Sequence, residues 1–206
     1  LHALIKNNVV RMLLDVYHQF RAETSDFAEI RSRNFRVTAQ NWPGLYSIFQ
    51  TAVSRLHIRE SVSLYTEFSY GCTVHTVGTD DDAAIIISSA CVEQMSDSEL
   101  LALIGRELTH IQCHHLTYLN MTSLLETLLP KIPFVGAAAA ETAKGLLLSW
   151  SRYAEMTADR GGAITTGSAD YVVDAVMLQI GGKVTKYSTA WTPGKECSVS
   201  MQIEDG

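Results

Sequence analysis

One stretch, residues 95 to 115, constrains the fold more than any other. It opens Met-Ser-Asp-Ser-Glu, and Ser96 followed by Glu99 has the spacing of a capping box, in which two side chains satisfy each other's backbone N–H groups at a helix start. Leu100, Leu101, Leu103, Ile104, Leu108 and Ile111 then recur at helical steps. This predicts a helix from about residue 96 to about residue 118, buried along an apolar stripe. Arg106, Glu107 and His110 sit within that stretch, so the buried helix holds three polar side chains rigidly.

Composition narrows the class of protein. The 206 residues are 47% apolar and 18% charged, an ordinary globular balance that allows one substantial core. Net charge is -6 with Lys and Arg scattered, which argues against nucleic acid as the partner. Four cysteines (Cys72, Cys91, Cys113 and Cys197) form no Cys-x-x-Cys pair and read as free thiols of a reducing compartment. The opening residues carry no apolar stretch of signal-peptide length. The apolar region from 124 to 150 is broken by Pro130, Lys131, Pro133, Glu141 and Lys144, so it lacks the run of about 20 uncharged residues that spans a bilayer. A cytoplasmic protein without a transmembrane segment is expected. A buried helical hairpin at 124 to 150, or one resting on a membrane surface, stays open.

Along the chain, residues 1 to 23 carry apolar positions at three- and four-residue steps, the pattern of an amphipathic helix. A polar, arginine-rich stretch reaches residue 41, and Pro43 suits the first turn of a helix over 43 to 56. Residues 61 to 70 alternate like a strand, 71 to 82 are turn-rich, and 83 to 89 read as a buried strand. After a loop marked by Pro130 and Pro133, residues 137 to 160 and 168 to 180 read as helices, the second stopped by Gly181 and Gly182. The expected fold is α+β and mainly helical, a small sheet over 60 to 90 packing on the central helix. It is read as a single domain, with an N-terminal helical region (1–41), a core (42–182) and a tail (183–206) of weak strand character.

Gly-Arg-Glu-Leu-Thr-His (105 to 110) lies one residue from His-Glu-x-x-His. In that motif two imidazoles one turn apart hold zinc while the glutamate activates the metal-bound water. A second segment, Ser-Arg-Tyr-Ala-Glu-Met-Thr-Ala-Asp-Arg (151 to 160), follows in the expected order. Together they resemble the HtpX-like and Ste-Oma-type zinc metallopeptidases, the forty-eighth peptidase family, of gluzincin type. The resemblance spans roughly residues 42 to 182. It implies a zincin-like metalloendopeptidase domain acting on polypeptide, with Glu107 as general base. It also implies zinc held by His110 and Glu155, Asp159 orienting His110, and an edge strand at Thr73, Val74 and His75 that pairs with substrate backbone.

Three departures accompany the match. Arg106 occupies the first histidine position, and a guanidinium has no lone pair to offer a metal. Thr109 stands where the family has glycine, adding bulk. Thr-Val-His-Thr-Val-Gly (73 to 78) lacks the Asn-Ala pair of the family's Asn-Ala-Tyr-Thr-x-Gly strand. One reading is a metallopeptidase-family chain with a defective zinc site, in which Arg106 neutralises Glu155 and Glu107 and the cleft binds polypeptide or a protein partner. A second is an active zinc endopeptidase with a substitute ligand: His114, one turn beyond His110, with His115 or His75 nearby. A third takes Arg106 as an introduced substitution in an otherwise ordinary peptidase.

Overall fold

A computed structural model describes residues 6–23, 32–78, 83–128 and 136–181. The turn at Asp80–Asp82, the Pro130–Pro133 loop and the tail from Lys183 lie outside them. The elements in chain order are α1 (Asn8–Glu23), β1 (Phe35–Arg36), α2 (Pro43–Arg55), β2 (Val62–Glu67), β3 (Val74–Gly78), β4 (Ala83–Ser88) and α3 (Ser89–Gln94). After these come α4 (Asp97–Gln112), α5 (Leu116–Ser123), α6 (Leu125–Leu128), α7 (Ala137–Thr166) and α8 (Asp170–Gly181). The chain is α+β, a small mixed sheet packed on helices.

The strands run in the order β1-β2-β4-β3. β2 and β4 pair in parallel, while β1 on β2 and β3 on β4 are antiparallel. Side chains alternate across a strand, so the sheet has two distinct faces. Leu64, Ala83, Ile85 and Ile87 join Leu45, Phe49, Leu100, Leu103, Ile104, Leu108 and Ile111 in the main core beneath the sheet. Tyr65, Ala84, Ile86 and Val77 pack on the opposite face. Residues 74 to 78 thus form a strand inside the stretch whose composition reads as turns; antiparallel pairing with the fully buried β4 outweighs local propensity.

A second core lies away from the sheet. Val10, Leu13 and Tyr17 of α1 meet Met121, Leu125, Ala143 and Leu147, so Leu125, Ala143 and Leu147 of the apolar region 124–150 are buried against the N-terminal helix. α7 has 30 residues, about 45 Å of helix at 1.5 Å per residue. Its first half belongs to this second core and its second half crosses α4. Among the described residues no helix is long and apolar enough to cross a membrane.

Two helix boundaries differ from expectation. α4 starts as the capping box requires: Ser96 Oγ accepts from Glu99 N–H, and Glu99 Oε2 accepts from Ser96 N–H at 2.6 Å. It stops at Gln112, not near residue 118, because His114 adopts φ 53° and turns the chain into α5. α7 runs past Arg160 through Gly161 and Gly162 to Thr166, where Gly167 (φ 80°) makes a left-handed cap.

Candidate active site

The site forms where α4 crosses the second half of α7 under β3. Close approach of the two helices depends on a reciprocal pair of contacts. Gly105 faces Thr165, and Thr109 faces Gly161; a Cβ on either glycine would collide with the opposing threonine. Each threonine hydroxyl donates to the glycine carbonyl one turn earlier in its own helix, Thr109 to Gly105 at 2.8 Å and Thr165 to Gly161 at 2.7 Å. Both hydroxyls are therefore satisfied in a buried place. The bulk of Thr109 does not fill the polar site, because Gly161 receives it.

At the polar side of this crossing, Arg106 reaches from α4 to α7. Its Nη2 donates to Glu155 Oε2 at 2.8 Å and its Nε to Asp159 Oδ1 at 2.7 Å. The arginine side chain is only 12% exposed, whereas both carboxylates are 48% exposed. Asp159, expected to orient His110, is bonded to Arg106. His110 Nε2 lies 3.6 Å from Glu155 Oε1, too far for a full hydrogen bond. The His110 imidazole and the Arg106 guanidinium nevertheless hold the Glu155 carboxyl below the usual carboxylate range, against partial burial.

Glu107 is 9% exposed and does not bond Arg106, contrary to the expected neutralisation of that carboxylate. Thr76 Oγ1 of β3 donates to its Oε2 at 2.6 Å. Burial pushes the Glu107 carboxyl above the usual range; the Thr76 hydroxyl, His110 and Arg106 oppose the rise. This bond also fixes strand polarity: Thr76 turns toward α4, so His75, its neighbour paired with Ile86, belongs to the opposite face. His75 is exposed there and stays away from Glu107, which removes it from the vicinity of the expected metal. Thr73 donates its hydroxyl to Glu67, and its N–H donates to Ser88 Oγ. β3 (Val74–Gly78) is an edge strand of the described sheet, and Thr73 immediately precedes it.

His114 lies beyond the end of α4 and is exposed, so it does not share the His110 face that a longer helix would have provided. Its neighbour His115 comes in instead. The two Nδ1 atoms of His110 and His115 are 3.1 Å apart, one donating and one accepting. His115 also packs edge-on to Trp150 of α7, with ring centroids 5.4 Å apart.

Sequence reasoning gave no role to Thr76 or Gly161, and offered His115 only as a neighbour of a shifted metal site. Thr76 carried a signal, since it matches the threonine of the family's strand pattern. Gly161 and Gly162 carried a weaker one: two adjacent glycines in a helix cost about 1 kcal/mol each relative to alanine and call for a close neighbour. The pairing of His115 with His110 carried none, because it depends on the break after Gln112.

The sequence profile of Peptidase family M48 matches residues 75–191. The chain is 28% identical over 139 residues to the Plastoglobule-localized metallopeptidase 48, chloroplastic, of Arabidopsis thaliana, covering 67% of this chain and 40% of that protein. It is 27% identical over 134 residues to the Protease HtpX homolog of Moorella thermoacetica, covering 52% of this chain and 44% of that protein. The chain thus spans less than half the length of these curated relatives. No solved structure matches it. A profile match over more than half the chain, containing both polar helices of the site, makes this protein a member of Peptidase family M48.

Proposed function

We propose that this chain is a metallopeptidase-family protein in which an internal ion pair stands where the zinc site would be. The cleft beside β3 keeps a capacity to bind polypeptide. One observation carries the reading: Arg106 donates to both Glu155 and Asp159, so the cation between these carboxylates belongs to the protein. A catalytic zinc takes three protein ligands and keeps a fourth position for water. The donors carried over from the family number two, His110 and Glu155. Among the described residues no group of three His, Cys, Asp or Glu side chains is placed to hold a metal ion. The guanidinium stays protonated at any working pH and opposes a second cation beside it. The residues present do not fit a catalytic zinc, and Glu107 is left to tie β3 to α4 through Thr76.

The polypeptide-binding part rests on the edge position of β3, whose outer side offers backbone groups for strand addition. A cytoplasmic location belongs to the same reading and rests on the thiol content and composition; the Arabidopsis relative is by name chloroplastic. An active enzyme with His114 as substitute ligand would require that residue to leave an exposed turn beyond the helix.

Elemental analysis of the purified chain beside its Arg106→His variant is the test. The expected result is no stoichiometric zinc in the unmodified chain and about one zinc per chain in the variant, the content of a restored three-ligand site. Near-equimolar zinc in the unmodified chain would overturn the reading. If the variant also ignores zinc, the loss extends beyond residue 106.

A further inference from the structure

Away from the polar site, folding gathers two cysteines that the sequence separates by strands β3 and β4. Ser88 does the gathering. Its Oγ accepts from Thr73 N–H at 3.0 Å and from Cys91 N–H at 3.2 Å, and its own N–H donates to Thr73 O at 2.9 Å. Cys91 Sγ in turn donates to Thr73 O at 3.6 Å. Residue 73 is thus bonded on several sides to the first turn of α3, which brings the preceding Cys72 against Cys91. Both thiols are free and belong to the main core, Cys91 fully buried and Cys72 half-buried at its margin. Burial pushes the Cys91 thiol up to about 12, with the Ser88 hydroxyl opposing the rise and the Cys72 thiol adding to it through a hydrogen bond.

We propose that Cys72 and Cys91 form an oxidisable dithiol that a hydroperoxide converts to an intramolecular disulfide, fastening the start of edge strand β3 to α3. The half-buried sulfur is the one an oxidant reaches. Cys72 attacks one peroxide oxygen, the O–O bond breaks, a sulfenic acid is left on Cys72, and one water leaves with the first thiol's proton. The Cys91 sulfur then displaces the hydroxyl from Cys72 sulfur, and the second thiol proton departs in a second water. Two thiols are oxidised and one hydrogen peroxide is reduced. The high proton affinity of Cys91 makes it a poor first nucleophile and leaves the first step to Cys72; its position beside the Cys72 sulfur, not its reactivity, assigns it the second. The inference does not depend on the state of the zinc site.

The chain offers a direct readout. No Lys or Arg lies between Arg59 and Arg106, so trypsin places Cys72 and Cys91, without Cys113 or Cys197, on one peptide, 60–106. The full-length protein, freed of reductant, is treated with hydrogen peroxide, alkylated, digested and weighed. The expected result is a 60–106 peptide two hydrogens lighter and unalkylated, its disulfide reversed by a reductant. In Cys91→Ala the same peptide should gain oxygen at Cys72, trapped by dimedone as the sulfenic acid. The same treatment in urea should scatter pairings among all four cysteines, since only the fold selects this pair. The proposal fails if peptide 60–106 keeps both thiols while exposed Cys113 is oxidised, if Cys72 gains oxygens in the unmodified protein without pairing, or if the unfolded chain yields the 72–91 bond as selectively as the native one.

Discussion

Two halves of a single helix crossing are built on opposite principles. On the dry side of the α4–α7 contact, Gly105 against Thr165 and Thr109 against Gly161 fit by shape, with no room for one more carbon. On the wet side, Arg106 spans to Glu155 and Asp159, carboxylates that are half open to solvent. Shape complementarity at backbone distance tolerates little change, because protein interiors are close-packed and relax only partly. Ion pairs that water can reach contribute modestly and can be exchanged. The rigid half holds the two helices together, so the polar half is free to change its chemistry without loss of fold. A helix crossing can in this way carry different polar side chains on its open side and remain folded.

The sharpest way to break the comparison is to add a methyl to the dry side. Gly161→Ala should destabilise the chain by about 1–3 kcal/mol in urea unfolding, from overpacking against Thr109, despite the roughly 1 kcal/mol that alanine gains over glycine in a helix. Combining it with Thr109→Gly should recover much of the loss, since facing residues couple non-additively. If both single variants and the double are simply additive, the interlock is not what holds the crossing.

Next in size is Thr76→Val, which leaves the buried Glu107 without its hydroxyl donor. A cost of about 1–3 kcal/mol is expected from an unsatisfied buried acceptor, read by thermal or urea unfolding. Glu107→Gln should weaken the dependence on Thr76, because an amide is cheaper to bury than a carboxylate.

Arg106→Met should cost less, about 1 kcal/mol, because both partners remain solvated and the methionine covers much of the same apolar surface. Its effect should shrink further near 1 M salt, where the Debye length is about 3 Å, whereas the Gly161→Ala penalty should not move. Equal salt dependence in the two variants would erase the distinction between the halves.

The smallest effect is in acid. The Glu155 carboxyl is held below its ordinary range, by His110 and by Arg106. A carboxyl whose folded value is depressed adds stability that is present above the unfolded value, about 4.3 for glutamate, and is lost as pH falls through the folded one. Wild type should therefore lose stability below about pH 4.3 more steeply than Glu155→Gln, by a slight margin given the exposure of the group. Identical acid limbs would mean that Glu155 carries no net pairing energy in the folded state.

Much of the framework was legible from local pattern. The capping box at Ser96 and Glu99, Pro43 at a first helical turn, and the β-branched run at 83 to 88 each act through neighbours in sequence, and each element appears where its signal lies. The family resemblance was legible from Glu107, His110, Glu155 and Asp159 in order. What escaped was whatever depends on a distant partner. β3 lies in a stretch whose composition reads as turns, so that only the family resemblance gave an edge strand there; α7 continues through Gly161 and Gly162 because α4 presses on them. His114 and His115 exchange their expected places because α4 ends at Gln112 and not near residue 118.

By itself the sequence determined which helix is buried and which polar residues, Arg106 among them, ride on it, since helix capping, periodicity and side-chain chemistry are local properties. Tertiary structure alone decided where those groups find partners. It paired Arg106 with Asp159 as well as Glu155, gave Glu107 to Thr76, and set Cys72 beside Cys91. The physical reason is that hydrogen bonds and close packing act over a few ångströms of space, whichever residues the crossing of chains happens to bring within that distance.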